Sequence, residues 1–130
     1  MTDRQLADLA LDARKHAYTP YSNFNVGAAL LCADGTVFTG CNVENAAYGS
    51  TICAERTALV KAISEGHRDF DAIAIAGSSN DFCWPCGSCR QMLFEFAPNL
   101  RVLAVQQDGT FQAATLTDLL PHAFGPASLD

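Results

Sequence analysis

The chain has 130 residues, 49% of them apolar and 17% charged, with a net charge of −6 at neutral pH. That length suits one domain spanning residues 1–130, and that balance suits a packed core, which excludes a disordered chain. The acidic balance, with no run of Lys or Arg, argues against a nucleic-acid partner and favours a small, nearly neutral substrate. Met1-Thr2-Asp3-Arg4-Gln5 lacks the basic-then-apolar layout of a signal peptide, and no apolar run reaches membrane-spanning length. The expectation is a cytoplasmic protein with no membrane contact, in which six cysteines serve as thiols or metal ligands rather than as a disulfide framework.

Thr2 through Gln5 has the form of a capping box, and Leu6, Leu9, Ala10, Ala13 and Ala17 recur at helical spacing, which predicts a helix up to about Tyr18. Thr19-Pro20 ends it, because the residue before proline avoids helical geometry. Val26–Cys32 and Thr36–Val43 flank Asp34-Gly35 as a hairpin in which Cys32 faces Val37. Cys32 and Cys41 are then too far apart to pair, and both read as ordinary strand cysteines. A loop over 45–51 leads to a second helix starting near Ile52 or Cys53 and stopped by Gly66. Ala72–Ala76, apolar throughout, reads as a central strand covered on both faces.

Pro85 suits the first position of a third helix over about Cys86–Phe96, and Pro98 forbids its continuation. Arg101–Val105 and Phe111–Leu116 form a second hairpin around Asp108-Gly109, followed by a short helix over about Thr117–His122 and an irregular tail. Helices alternating with strands predict a three-layer α/β/α sandwich. His16, His67 and His122 show no ligand spacing and read as surface or helix-end residues.

Two motifs stand out, Cys53-Ala54-Glu55-Arg56 and Pro85-Cys86-Gly87-Ser88-Cys89, each where a helix should begin. Both helix starts can converge at one end of the sheet, where partial positive charge and free N–H groups lower the cost of thiolates. Cys53, Cys86 and Cys89 then suit a zinc ion whose fourth position is open to water. Arg56 is placed to offset the excess negative charge of three thiolates by donating to sulfur. Glu55 alone would read as a first-turn acid favouring the helix dipole; beside a ligand it is placed to move protons. Cys83 leaves a second arrangement open, a closed four-sulfur site or an iron–sulfur cluster, against which Trp84-Pro85 stiffens the intervening chain. A CxxC redox pair would not require a distant Cys-Ala-Glu.

Cys-Ala-Glu followed by Pro-Cys-x-x-Cys resembles the cytidine deaminases, the free-nucleoside branch of the zinc deaminases, and the resemblance covers nearly the whole chain. It implies a five-stranded mixed sheet, zinc on three cysteines with Cys83 left out, and Glu55 as the catalytic proton carrier. The implied reaction is hydrolytic deamination of cytidine and deoxycytidine, in pyrimidine salvage; deamination of a cytosine-containing nucleoside antibiotic of the blasticidin S type is the second reading. Asn42 and Glu44, two apart on a strand and so on one face, match the family's ribose-binding pair, although spacing alone fits a solvated strand end equally well. Phe24 resembles the aromatic packed against the base, where sequence alone would make it core, and Ala54 is implied to offer backbone groups to the base edge.

Tyr48 precedes the zinc helix and lines either the pocket or a subunit contact. Phe124 matches a tail aromatic that in the family reaches a neighbouring subunit, and in a monomer it would be a satellite contact. All-cysteine ligation with this chain length resembles the homotetrameric branch. Polynucleotide editing is disfavoured by the acidic balance and by the Asp108-Gly109 hairpin, where editing relatives usually carry a helix. A structural zinc module would need a fourth ligand and gives Glu55 no role.

Overall fold

The computed structural model of the chain describes residues 1–129. The capping box forms as the sequence predicts, with Thr2 Oγ1 accepting from Gln5 N and Gln5 accepting from Thr2 N, and it opens α1 (Asp3–Ala13). The helix ends sooner than expected. Residues 14–16 tighten into a 3₁₀ turn and Ala17 is extended, because Tyr18 is drawn into bridge pairing with Val43.

Two strands follow, β1 (Gly27–Cys32) and β2 (Val37–Cys41), antiparallel with Leu31 opposite Val37. The expected register, Cys32 against Val37, is therefore one residue out. The loop has three residues, not two: Gly35 N donates to the Cys32 carbonyl, Cys32 N donates to the Thr36 carbonyl, and Gly35 takes φ +92°. The second hairpin repeats the device, with Gln106 and Thr110 closing Gln107-Asp108-Gly109 and Gly109 at φ +94°. In both loops the Asp carboxylate accepts from the Thr N–H two residues on. Glycine follows because the closing residue is left-handed, which a side chain disfavours.

Next come α2 (Ala54–Ser64), β3 (Phe70–Ala76) and α3 (Gly87–Phe96). Gly66 ends α2 as predicted, its N–H donating to the Ile63 carbonyl and that of His67 to the Ala62 carbonyl. Pro85 precedes the cap instead of opening α3, since Cys86 is extended at φ −68°, ψ 167°. Finally β4 (Arg101–Val105) and β5 (Phe111–Thr115) pair, and α4 shrinks to Leu116–Leu119, short of the helix expected to His122. Residues 126–129 form a 3₁₀ turn where an irregular tail was expected.

The strand order is β2-β1-β3-β4-β5, with β3 and β4 parallel and every other pair antiparallel. This is the expected five-stranded mixed sheet. Alternation sends Ala28, Leu30, Ile73, Ile75 and Val102 against α2 and α3, while Ala29, Ala72, Ala74, Leu103 and Val105 face α1. The layers are α1, the sheet, then α2 with α3. In the register Cys41–Gly27–Ala76–Val105–Phe111, one edge of the sheet carries the start of β1 and the ends of β2, β3 and β4. Both helices that descend from that edge begin there, so their N-termini meet.

Candidate active site

Cys53 and Cys86 are the N-caps of α2 and α3, both in extended backbone, and Cys89 is the third helical residue of α3. An N-cap side chain faces the free N–H groups of the first turn, and a first-turn side chain leans back toward the same end. Three sulfurs therefore converge, all within 4.8 Å of one another, with Cys86 Sγ 3.4 Å from Cys89 Sγ. Sulfurs tetrahedrally bound to zinc at about 2.3 Å lie about 3.8 Å apart, so the spacing fits the ion. Cys89 is buried, Cys53 half-buried and Cys86 exposed, which opens the cluster to one side.

The electrostatics fit a cation as well. The Cys89 thiol donating to it and the Arg56 guanidinium hold Cys53 down at about 5, against the cost of its burial. Cys89 is pushed up in turn, because it gives its proton to the Cys53 thiolate. A divalent cation lets all three sulfurs carry negative charge. Arg56 Nη2 lies 3.7 Å from Cys53 Sγ and 3.1 Å from the Thr51 carbonyl, and Arg56 Nε is buried with no partner among the described residues.

Glu55, the second residue of α2, is 5% exposed. Burial raises its carboxyl above the usual range, and the Cys53 charge adds to this against the opposing pull of its own backbone N–H. Cys83, which the sulfur cluster leaves out, is pushed up to about 11 by burial. An unreactive, protonated thiol is the ordinary state of such a cysteine.

The other expected residues divide into two groups. Ala54, fully buried as the first residue of α2, keeps a backbone N–H with no intrahelical acceptor beside the cluster. Phe24 reaches the same edge of the sheet: a Cβ on Gly77 would lie 2.8 Å from Phe24 Cζ and 3.3 Å from Cys83 Sγ. Phe24 is 39% exposed, so it is not the core residue its apolarity suggested.

Asn42 and Glu44 lie beyond the end of β2, not on a strand as expected, and both side chains brace the segment from Tyr21 to Val26. Asn42 Oδ1 accepts from Val26 N at 2.9 Å and Nδ2 donates to the Phe24 carbonyl at 2.8 Å. Glu44 accepts from Tyr21 N, Ser22 N and the Ser22 hydroxyl, and the last of these does most to lower its carboxyl. Glu44 nevertheless lines a cleft of about 320 Å³ with Tyr21, Ser22, Tyr48 and Thr51, across which the rings of Tyr21 and Tyr48 meet edge-on at 5.7 Å.

Phe124 stands outside this group at 59% exposure, its carbonyl accepting from Gln91 of α3 at 2.7 Å. Arg90 was not singled out by the sequence. It follows Cys89, donates to the Pro85 carbonyl at 2.7 Å and to the Leu119 carbonyl at 2.8 Å, and so clamps the cysteine loop to the C-terminal segment. A cation placed directly after a ligand was its only signal.

The sequence model of the cytidine and deoxycytidylate deaminase zinc-binding region matches residues 1–105. The chain belongs to the cytidine and deoxycytidylate deaminase family. It is 52% identical over 124 residues to a cytidine deaminase of Halalkalibacterium halodurans, covering 94% of each chain. A cytidine deaminase of Sporosarcina psychrophila is 48% identical over 118 residues, 90% of this chain and 87% of that one. The crystal structure of cytidine deaminase from Burkholderia pseudomallei superposes with a TM-score of 0.92 at 50% identity, over 95% of this chain and 100% of that one. Family membership makes zinc the cofactor, and the three clustered sulfurs are where this fold offers it a site.

Proposed function

We propose that the chain, working as one domain, hydrolyses cytidine and deoxycytidine to uridine and deoxyuridine with release of ammonia, as a step of pyrimidine salvage. One observation carries the reading: three sulfurs at two converging helix N-termini with the buried Glu55 carboxyl beside them. Relatives named cytidine deaminase at 48–52% identity favour this substrate over a nucleoside antibiotic.

Cys53, Cys86 and Cys89 would hold the zinc, which when bound supplies a water whose pKa falls toward about 7. Glu55 takes a proton from the attacking water, gives it to N3 of the base as C4 is attacked, and then passes a proton to the departing amine. A buried carboxyl suits this relay, because its raised affinity for protons brings it nearer the working pH. Arg56 keeps Cys53 ionised and the entry to α2 in place. The Ala54 backbone meets the base edge, and Phe24 packs on the base from the sheet edge that Gly77 keeps clear. Glu44 receives a ribose hydroxyl at the cleft it shares with Tyr48, while Asn42 holds the Phe24 backbone in position.

The assembly in this reading is a homotetramer. Tyr18, Tyr21, Val43, Tyr48, Ile52 and Phe124 are each at least 40% exposed, an apolar surface that suits cover by further copies, with Phe124 reaching a neighbouring site. The cytoplasm suits a protein with six free cysteines. Purified protein should abolish the cytidine absorbance in a chelator-sensitive manner, and lack of turnover by the zinc-loaded protein would reject the assignment.

A further inference from the structure

At the end of the sheet away from the cysteine cluster, two loops bring together three different metal-ligating side chains. Cys32 closes β1, Asp34 sits in the three-residue turn after it, and His67 follows Gly66 at the end of α2. His67 has no ligand spacing in the sequence, because Cys32 and Asp34 lie more than thirty residues away in the chain, and the fold brings the three together. One sulfur, one carboxylate oxygen and one imidazole nitrogen lie within 4.8 Å of one another. His67 Nε2 is 3.2 Å from Asp34 Oδ2, and the Phe38 ring stands edge-on to the imidazole at 5.0 Å.

We propose that Cys32, Asp34 and His67 form a second metal site, separate from the deaminase centre, for a divalent cation of zinc's class. The donor set is one argument: sulfur, nitrogen and oxygen together suit Zn²⁺ or Co²⁺ and are a poor match for Mg²⁺ or Ca²⁺, which take oxygen. Spacing is another, since nitrogen and oxygen bound tetrahedrally to zinc lie about 3.4 Å apart. The nitrogen turned to Asp34 is Nε2, so it is the one placed to share a cation with the carboxylate.

The surroundings agree. The Asp71 charge bears on Cys32 after that of Asp34, and Asp69 lines the adjoining cleft with Asp34 and His67, opposed there by Arg68. Asp34 is 59% exposed at the side chain, so the outer corner is open to water as a further ligand. The Cys32 sulfur is buried, and its proton leaves when the cation enters. A cation there would pin the first hairpin to the end of α2 and stabilise the folded chain by binding it alone.

The test uses the zinc holoenzyme, dialysed into metal-free buffer and titrated with Co²⁺, with retained zinc counted in the same sample. The expected result is one equivalent of Co²⁺ bound beyond the retained zinc, with sulfur-to-cobalt charge-transfer absorption and a higher Tm. His67→Gln and the surface variant Asp34→Asn should each lose the equivalent, the band and the Tm rise, with cytidine turnover unchanged. Cys32→Ser should lose the band. Absence of Co²⁺ uptake beyond the zinc in the parent protein would overturn the site, as would an extra equivalent that persists in both His67→Gln and Asp34→Asn.

Discussion

Arg56 Nη2 lies 3.7 Å from Cys53 Sγ while donating to the Thr51 carbonyl at 3.1 Å, so one guanidinium ties a sulfur to the loop that delivers it. Removing it should loosen both. Arg56→Gln is expected to weaken zinc binding by about 10–100-fold, the usual effect of losing a group that orients a ligand. Competition with a coloured chelator reads this directly. Arg56→Lys should recover only part of the loss, because a point charge cannot serve sulfur and carbonyl together as a fork does.

The sheet edge and α2 touch with no room to spare at Gly40, where a Cβ would lie 2.6 Å from both the Ala54 carbonyl oxygen and the Ala58 nitrogen. These are backbone atoms and cannot swing aside. Gly40→Ala should cost about 1–3 kcal/mol, as overpacking does. Since the helix it displaces begins at Cys53, zinc affinity should fall with it. Urea unfolding and a chelator titration on the same variant check the two together.

Cys83 is excluded from the cluster and kept protonated by burial. Cys83→Ser is expected to keep its zinc and to turn over cytidine within a few-fold of the parent. Metal content after dialysis decides it, because a four-sulfur site would lose affinity on the same change.

Much of this was legible in the sequence, and what was not has a physical reason in each case. The two helix starts were readable because Cys53 and Cys86 stand where caps stand, and Gly66 because a left-handed residue ends α2. The first hairpin slipped by one residue because Asp-Gly signals a turn without stating whether two residues or three lie between the strands; hydrogen bonds from Gly35 and Cys32 set that number. α1 fell short of Tyr18 because a tertiary pairing with Val43 overrode an unbroken helical pattern. Asn42 and Glu44 were singled out by their match to the family's pair, since spacing alone fitted a solvated strand end equally well, and their bracing of the Tyr21–Val26 segment needed the fold. His67 and Cys32 come together in the same way, since contact across the fold leaves no local trace.

Asp3 and Arg101 join the start of α1 to β4 through two hydrogen bonds of 3.1 and 2.5 Å. The Arg101 guanidinium holds the Asp3 carboxyl below its usual range. The folded state therefore binds fewer protons than the unfolded one near that pKa, so the pair stabilises fully above the unfolded value of about 3.9 and is lost as pH falls through the folded one. Asp3→Asn should cost roughly 0.2–1 kcal/mol at neutral pH, as expected of an exposed pair. Denaturation midpoints of parent and variant should differ at neutral pH and converge in acid below the folded pKa.

The most direct test of the account is the turnover of Glu55→Gln measured on protein whose zinc content has been counted. Glutamine keeps the size and removes the proton carrier, so the account predicts full zinc occupancy with turnover of cytidine reduced by about 10²–10⁴-fold, the range of general acid–base catalysis. Near-parental turnover by the zinc-loaded variant would contradict it.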